Sequence, residues 1–158
     1  MQFQSGEIDG LGIRRVEKHS DERGWLAELF RADELDRDGM PAMGYISVTR
    51  PGAGRGPHEH REQTDQFCFL GPGRFEVRLW DNRPESPTFQ NLMTVVAGDA
   101  EPKLITVPPG VVHGYKNIGQ QDAVVINLPN RLYRGRGRDE AVDEIRHETG
   151  RGSPFQLD

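Results

Sequence analysis

Two short stretches decide how this chain is read: Arg55-Gly56-Pro57-His58-Glu59-His60 and Pro108-Pro109-Gly110-Val111-Val112-His113-Gly114-Tyr115-Lys116-Asn117. In the first, histidines stand at i and i+2, the spacing that puts both side chains on one face of an extended strand. In the second, a Pro-Pro-Gly turn ends one strand and aims the next, so His113 leaves it in a fixed direction. The residues between and around them read as short strands: 45–49, 65–70, 74–80, 92–96, 103–107, 111–116 and 123–128 are rich in β-branched and aromatic side chains and are separated by turn-forming clusters. Gly71-Pro72-Gly73 reads as a hairpin link between 65–70 and 74–80, and residues 117–120 as the turn on which 111–116 pairs with 123–128. Regularly spaced short strands predict an all-β sandwich or barrel whose mouth or lumen collects His58, His60 and His113.

Outward from that core the signals change. Residues 11–17 alternate weakly, as an edge strand does, and 19–24 form a polar turn ending in glycine. Residues 25–30 resume an apolar run. Either Trp25, Ala27 and Leu29 or Leu26, Glu28 and Phe30 face inward, the second choice placing Glu28 in the interior. A short helix is predicted over 31–38, broken by Gly39 and Pro41. Residues 50–57 read as a Gly/Pro-rich loop that delivers the chain to His58. The tail from Arg131 is polar, with Arg131, Arg134, Arg136 and Arg138 close together, and 139–147 could make one or two helical turns that wrap the barrel or close its mouth. The expectation is one domain over 1–158: N-terminal strands 1–30, a barrel core over about 45–130 and a C-terminal tail 131–158.

With 158 residues the chain can bury a real core, and its 19 glycines and 11 prolines favour turns over long helices. A formal net charge of −5 argues against a nucleic-acid partner. The one cysteine, Cys68, sits in an apolar run, which suits a small buried residue in a reducing compartment rather than a nucleophile. The N-terminal residues lack the basic and apolar segments of a signal peptide, and no apolar run nears the roughly 20 residues that cross a bilayer. A cytoplasmic protein without a membrane partner is expected.

The three histidines admit three readings. Neutral imidazoles ligate zinc, iron, nickel or copper, and Gln66 or Asp65 could supply a further ligand. The same groups could act as general base and electrostatic partner with no metal. They could also be hydrogen-bonded loop residues.

The Pro108-Pro109-Gly110, His113, Asn117 series resembles the second motif of the cupins, and His58-Glu59-His60 with Gln66 and Gly73 resembles a loosened first motif. One branch matches better. Asp21-Glu22-Arg23-Gly24 with Glu28 and Phe30, Arg55-Gly56-Pro57-His58, Arg83-Pro84-Glu85-Ser86-Pro87-Thr88-Phe89 and His113-Gly114-Tyr115 resemble, in order, the signatures of the dTDP-4-dehydrorhamnose 3,5-epimerase family, over roughly residues 8 to 135. The resemblance implies a homodimeric cupin jelly roll, carrying short peripheral helices here, that uses no metal or other cofactor and acts on a dTDP-4-keto-6-deoxy sugar in polysaccharide biosynthesis. It implies His58 as the base that removes a proton beside the 4-keto group and Tyr133 as the acid on the opposite face. Asp139, or Asp143, would be partner to the base. Arg23 and Arg55 would lie on the diphosphate, Glu28 near the nucleotide, and Gln66 and His113 in the pocket.

This chain departs from the family pattern in places. Gln66 stands where the family carries a lysine, the family's C-terminal Trp-Asn-Asp-Pro segment is absent, and Glu59 and His60 replace the usual aromatic and glutamine after the base. Arg55-Gly56-Pro57-His58-Glu59-His60 with Gln66 also resembles the signature of dTDP-hexose 3,4-ketoisomerases. A metal-dependent cupin enzyme would use a divalent transition metal on His58, His60, Gln66 and His113. A cupin that only binds a sugar or nucleotide is the non-enzymatic alternative.

Overall fold

The structure is a computed structural model, and it describes residues 2–148 and 152–157. Two sheets face each other. One has six strands in the order β1 (Gln4–Ser5), β9 (Asn91–Gly98), β8 (Arg74–Asp81), β11 (Val111–Asn117), β6 (Gly54–Glu59), β13 (Ile145–Arg146). The other has five, in the order β2 (Gly12–Arg15), β10 (Lys103–Val107), β7 (Asp65–Phe69), β12 (Ala123–Asn127), β5 (Tyr45–Thr49). A separate hairpin pairs β3 (His19–Asp21) with β4 (Gly24–Leu26). Apart from the parallel β1–β9 contact, the pairings are antiparallel.

Alternation along the strands fills the space between the sheets. Phe75, Val77 and Leu79 from one sheet meet Phe67, Phe69, Ile105 and Val125 from the other, with the Tyr115 ring wedged among Phe67, Phe69 and Phe75. Each such side chain contributes about 1.5–3 kcal/mol by leaving water. The opposite parity of β7 carries Cys68 and, just past its end, Leu70, which pack with Val16 and Leu104 under Ala27 and Leu29. Of the two registers for 25–30, the one with Ala27 and Leu29 inward is adopted. Trp25 is half exposed beneath the Lys18 ammonium, and Glu28 lies at the surface rather than in the interior. On the outer face of the six-stranded sheet, Trp80 and Val112 pack with Phe155 of the tail.

Three expectations are corrected. The two glycine-bearing links are not hairpins. β7 and β8 lie in different sheets, as do β11 and β12, so Gly71-Pro72-Gly73 and residues 118–122 carry the chain across the sandwich. Gly73, at φ 97°, sits where a Cβ would collide with Ala123, which is why the corner takes a glycine. Residues 54–59 form strand β6 despite Gly56 and Pro57. The strand pairs with β11 on one side with an irregular register and with only the two-residue β13 on the other. The helices expected over 31–38 and 139–147 are turns and extended chain, and no α-helix occurs among the described residues.

Candidate active site

His58 on β6 stands opposite His113 on β11, with ring centroids 4.4 Å apart. His60 follows one residue beyond β6, and Asp65 opens β7 in the facing sheet. Strand pairing therefore draws two imidazoles together, and the sandwich brings a carboxylate up to them from the other side. One donor atom from each of His58, His60, Asp65 and His113 fits within a mutual 4.8 Å. Asp65 and His113 are only 1% and 2% exposed.

The orientation of each ring is set by its neighbours. His113 donates Nδ1–H to the Val111 carbonyl at 2.9 Å, and His60 donates Nδ1–H to the Asp143 carbonyl. Both Nε2 atoms then face the same oxygen, Oδ2 of Asp65, each at 3.1 Å. The other oxygen of Asp65 accepts from the amides of Gln63 and Asn127, each at 2.9 Å. Burial opposes the charge on Asp65, but its hydrogen bonds with His113 and His60 outweigh that and hold the carboxyl well below the usual range. Burial likewise works against a charge on His60, yet Asp65 raises it overall. His58 is different. Burial, then the neighbouring His113 and His60, push it down to about 2, so it is a neutral imidazole at pH 7. Its Nδ1 faces Oε1 of Glu144 at 3.8 Å.

A cleft of about 1050 Å³ opens on this cluster, with His58 and His60 on its floor and Tyr133, Arg134 and Arg136 along its wall. The tail builds that wall. β13 adds to the free edge of β6, with Arg146 opposite His58, and Asp143 caps the backbone N–H groups of Arg61, Glu62 and Gln63 at 2.9 Å each. His147 closes the arrangement through a 3.0 Å contact with Glu59.

Of the residues singled out from sequence, His58, His60, Tyr133 and Asp143 line this cleft, and His113 and Asp65 are buried against the two histidines. The others lie elsewhere. Arg23 sits on the exposed β3–β4 turn, in a 2.5 Å ion pair with Asp21, and Glu28 is at the surface beside Arg31. Arg55 is tied to Thr49 Oγ1 (3.0 Å) and to the Val48 carbonyl (2.7 Å). Asp139 is exposed and does not line the cleft. Gln66 points out of the sandwich, donating to the Gly39 carbonyl at 2.6 Å, so it cannot join the imidazoles as a ligand or pocket donor.

Two residues of the site stand outside the family motifs: Asp65, which the sequence offers beside Gln66 as a further ligand, and Glu144, which it does not offer. Asp65 shares the parity of Phe67 and Phe69, the inward residues of β7, and that parity selects it over Gln66. Glu144, the carboxylate that reaches His58, has no spacing signal. It is placed by a two-residue strand that only tertiary pairing creates.

Comparison with known proteins agrees with this architecture. The family model described as dTDP-4-dehydrorhamnose 3,5-epimerase matches residues 5–143. A probable low-salt glycan biosynthesis epimerase, Agl13, of Haloferax volcanii is 37% identical over 134 residues, covering 84% of this chain and 85% of the relative. The spore coat polysaccharide biosynthesis protein SpsL of Bacillus subtilis is 34% identical over 135 residues, covering 84% and 87%. Among solved structures, a dTDP sugar isomerase from Desulfovibrio desulfuricans superposes with a TM-score of 0.81 at 24% identity, covering 94% of this chain and 91% of that one, which establishes the cupin-type fold. A dTDP-4-dehydrorhamnose 3,5-epimerase from Sulfolobus tokodaii superposes at 0.69 with 26% identity, covering 82% and 75%. With a sandwich of this topology, histidines on the floor of a cleft and a family match across most of its length, the chain is an isomerase-type enzyme and belongs to the dTDP-4-dehydrorhamnose 3,5-epimerase family.

Proposed function

We propose that the protein epimerises a dTDP-linked 4-keto-6-deoxy sugar by removing a proton from a carbon next to the keto group and returning one to the opposite face. The observation that carries this reading is the place of His58: an imidazole on the floor of the cleft, beside His113 and within reach of Glu144, and unprotonated as a base must be before it takes a proton. A keto group acidifies its neighbouring C–H, so an imidazole held against that carbon can take the proton as the enolate forms. Glu144, 3.8 Å from Nδ1, favours the imidazolium that results. Tyr133, on the wall of the same cleft, is the proposed acid. The arginines along residues 131–138 suit the charge of a nucleotide diphosphate, a role the sequence resemblance gives to Arg23 and Arg55.

The proposed chemistry needs no cofactor, because base, acid and electrostatic partners are all side chains. A homodimer is part of the proposal. Ile46 and Val48, on the outer face of edge strand β5, are 66% and 50% exposed, and such an apolar strip suits a second copy. Arg23 and Glu28, remote from the cleft of their own chain, would meet substrate across that contact. No helix among the described residues is long and apolar enough to cross a membrane. Action in the cytoplasm is proposed on the strength of the single reduced cysteine, which is buried with its thiol pushed up to about 12.

The test is incubation with dTDP-4-keto-6-deoxyglucose in D2O, followed by NMR of the sugar. Deuterium is expected at C3, C5 or both, with the rate falling about 100- to 10,000-fold in His58→Asn. A 3-keto product instead moves the assignment to ketoisomerase. Exchange no faster than in buffer alone sinks the reading for this substrate.

A further inference from the structure

We infer that His58, His60, Asp65 and His113 form a binding site for one divalent transition-metal ion of the zinc class, and that the seated ion shuts off proton abstraction by occupying the lone pair of His58. The second half rests on the base role proposed above for His58; the first half does not.

Three imidazoles and a carboxylate are a donor set suited to zinc. Around a tetrahedral zinc, bonds of about 2.0–2.2 Å place ligand atoms roughly 3.3–3.5 Å apart. Here the four donors already lie within 4.8 Å of one another, and two of the pairs stand at 3.1 Å. The set is anchored on β6, β7 and β11, not on loops alone, so it is largely assembled without an ion. His58 and His60 also line the cleft, which gives an ion a way in.

Hydrogen accounting points the same way. A backbone carbonyl can only accept, so the hydrogens of His60 and His113 sit on Nδ1, held by Asp143 and Val111. In each neutral ring Nε2 then carries a lone pair. For His60 a second contact agrees: the Gln63 amide nitrogen lies 3.2 Å from Nε2 and 2.9 Å from Asp65 Oδ1. That amide cannot be flipped, because its oxygen would then face a carboxylate. With both rings neutral, two acceptor nitrogens would confront one carboxylate oxygen at 3.1 Å inside the protein, so each of these contacts calls for a shared proton or a cation. Acceptor against acceptor at that distance is repulsive unless a proton or a cation lies between them. One metal ion relieves both contacts at once and gains His58 as a further ligand.

The surroundings are those of a metal site. Metal-binding histidines commonly donate their remote N–H to a backbone carbonyl, which fixes the ring and turns the other nitrogen to the ion. His60 and His113 both do this. Asp65 is held in the same fashion by its outer oxygen, through Gln63 and Asn127.

The experiment has two arms on the full chain stripped with a chelator. In the first, Co2+ is titrated and its visible d–d bands followed, and Zn2+ affinity is measured by competition with a chromophoric chelator. One ion per chain is expected, and Asp65→Asn, checked for folding by circular dichroism, lowers affinity by at least about 100-fold. If that variant does not fold, His60→Ala carries the same expectation. Absence of stoichiometric binding, or unchanged affinity in a folded variant, overturns the site and leaves the epimerase reading standing. In the second arm, deuterium exchange into the sugar is compared before and after one equivalent of Zn2+. A loss of at least about 100-fold, reversed by chelator, is expected. Stoichiometric binding with exchange unchanged or faster overturns the inhibition. Stoichiometric binding by a metal-free protein that never exchanged the sugar supports the site and counts against the proposed function alone.

Discussion

Asp143 holds His60 and the turn behind it from two directions. Its carbonyl takes the Nδ1–H of His60, while its carboxylate accepts the N–H groups of Arg61, Glu62 and Gln63. One tail residue thereby sets the ring of a cleft histidine and closes the backbone turn between β6 and β7.

That double hold predicts a cost for Asp143→Ala. Three turn N–H groups lose their acceptor, and a group left unsatisfied costs about 1–3 kcal/mol. For a domain of this size the melting temperature should fall by roughly 3–10 °C in differential scanning calorimetry. Asp143→Asn keeps one acceptor oxygen and should lose less. Equal melting temperatures for wild type and Asp143→Ala would show that the tail contributes nothing to the turn.

The strands were legible from alternation and turn residues, and so was the gathering of His58, His60 and His113. Topology was not. Gly71-Pro72-Gly73 has hairpin chemistry, but the same residues also suit a corner between sheets. Only the burial of both β7 and β8 on facing sheets decides between them. β6 was hidden for a related reason. Its Gly56 and Pro57 lower strand propensity, and pairing with β11 overrides that. Glu144 reaches His58 through a contact between distant parts of the chain, which no local pattern encodes.

Gln66 offers a sharp test of parity over motif. Its side chain faces Gly39 and not the cleft, so Gln66→Leu should leave deuterium exchange into the sugar within about 2-fold. It should lower stability by about 1 kcal/mol in urea denaturation, because the Gly39 carbonyl loses its donor. A large drop in exchange at normal stability would place Gln66 on the reaction path after all.

Glu144 should matter to rate more than to binding. A carboxylate about 4 Å from a forming imidazolium is worth up to about 4 kcal/mol at an effective dielectric constant near 20. Arg146, 2.8 Å from the other oxygen of Glu144, offsets part of that. Glu144→Gln should therefore lower kcat by about 10- to 100-fold with KM little changed. A rise in KM at constant kcat would make Glu144 a substrate contact instead.

Acid stability should depend on Asp81. This carboxylate is buried, which raises its pKa, but Arg83, Ser86 and Thr88 hold it by hydrogen bonds that more than compensate and leave it well below the usual range. A depressed folded pKa gives stability that is complete above the unfolded value of about 3.9 and drains away as pH falls below it. Urea denaturation should show no loss from this group between neutral pH and about pH 4 and a loss that begins below it and is still growing at pH near 3, with a shallower slope in Asp81→Asn. Identical slopes would mean that other carboxylates dominate the acid response.

The apolar strip on β5 predicts association. β5 is the edge of its sheet, paired with β12 alone among the described residues, and its outward Ile46 and Val48 are well exposed. An exposed edge strand with apolar outward residues is a surface that sheets use to pair or pack with another chain. The inward residues of the same strand are committed elsewhere: Ser47 contacts the Tyr115 hydroxyl at 3.2 Å, and Thr49 accepts from Arg55. A change at Ile46 therefore acts on the outer face without disturbing the core. Sedimentation velocity should find the wild-type protein as a dimer and Ile46→Asp as a folded monomer. If Arg23 and Glu28 bind substrate across the contact, that monomer should also show KM raised by at least about 10-fold. A wild-type monomer with full activity would remove the second copy from the site and leave the cleft of one chain sufficient.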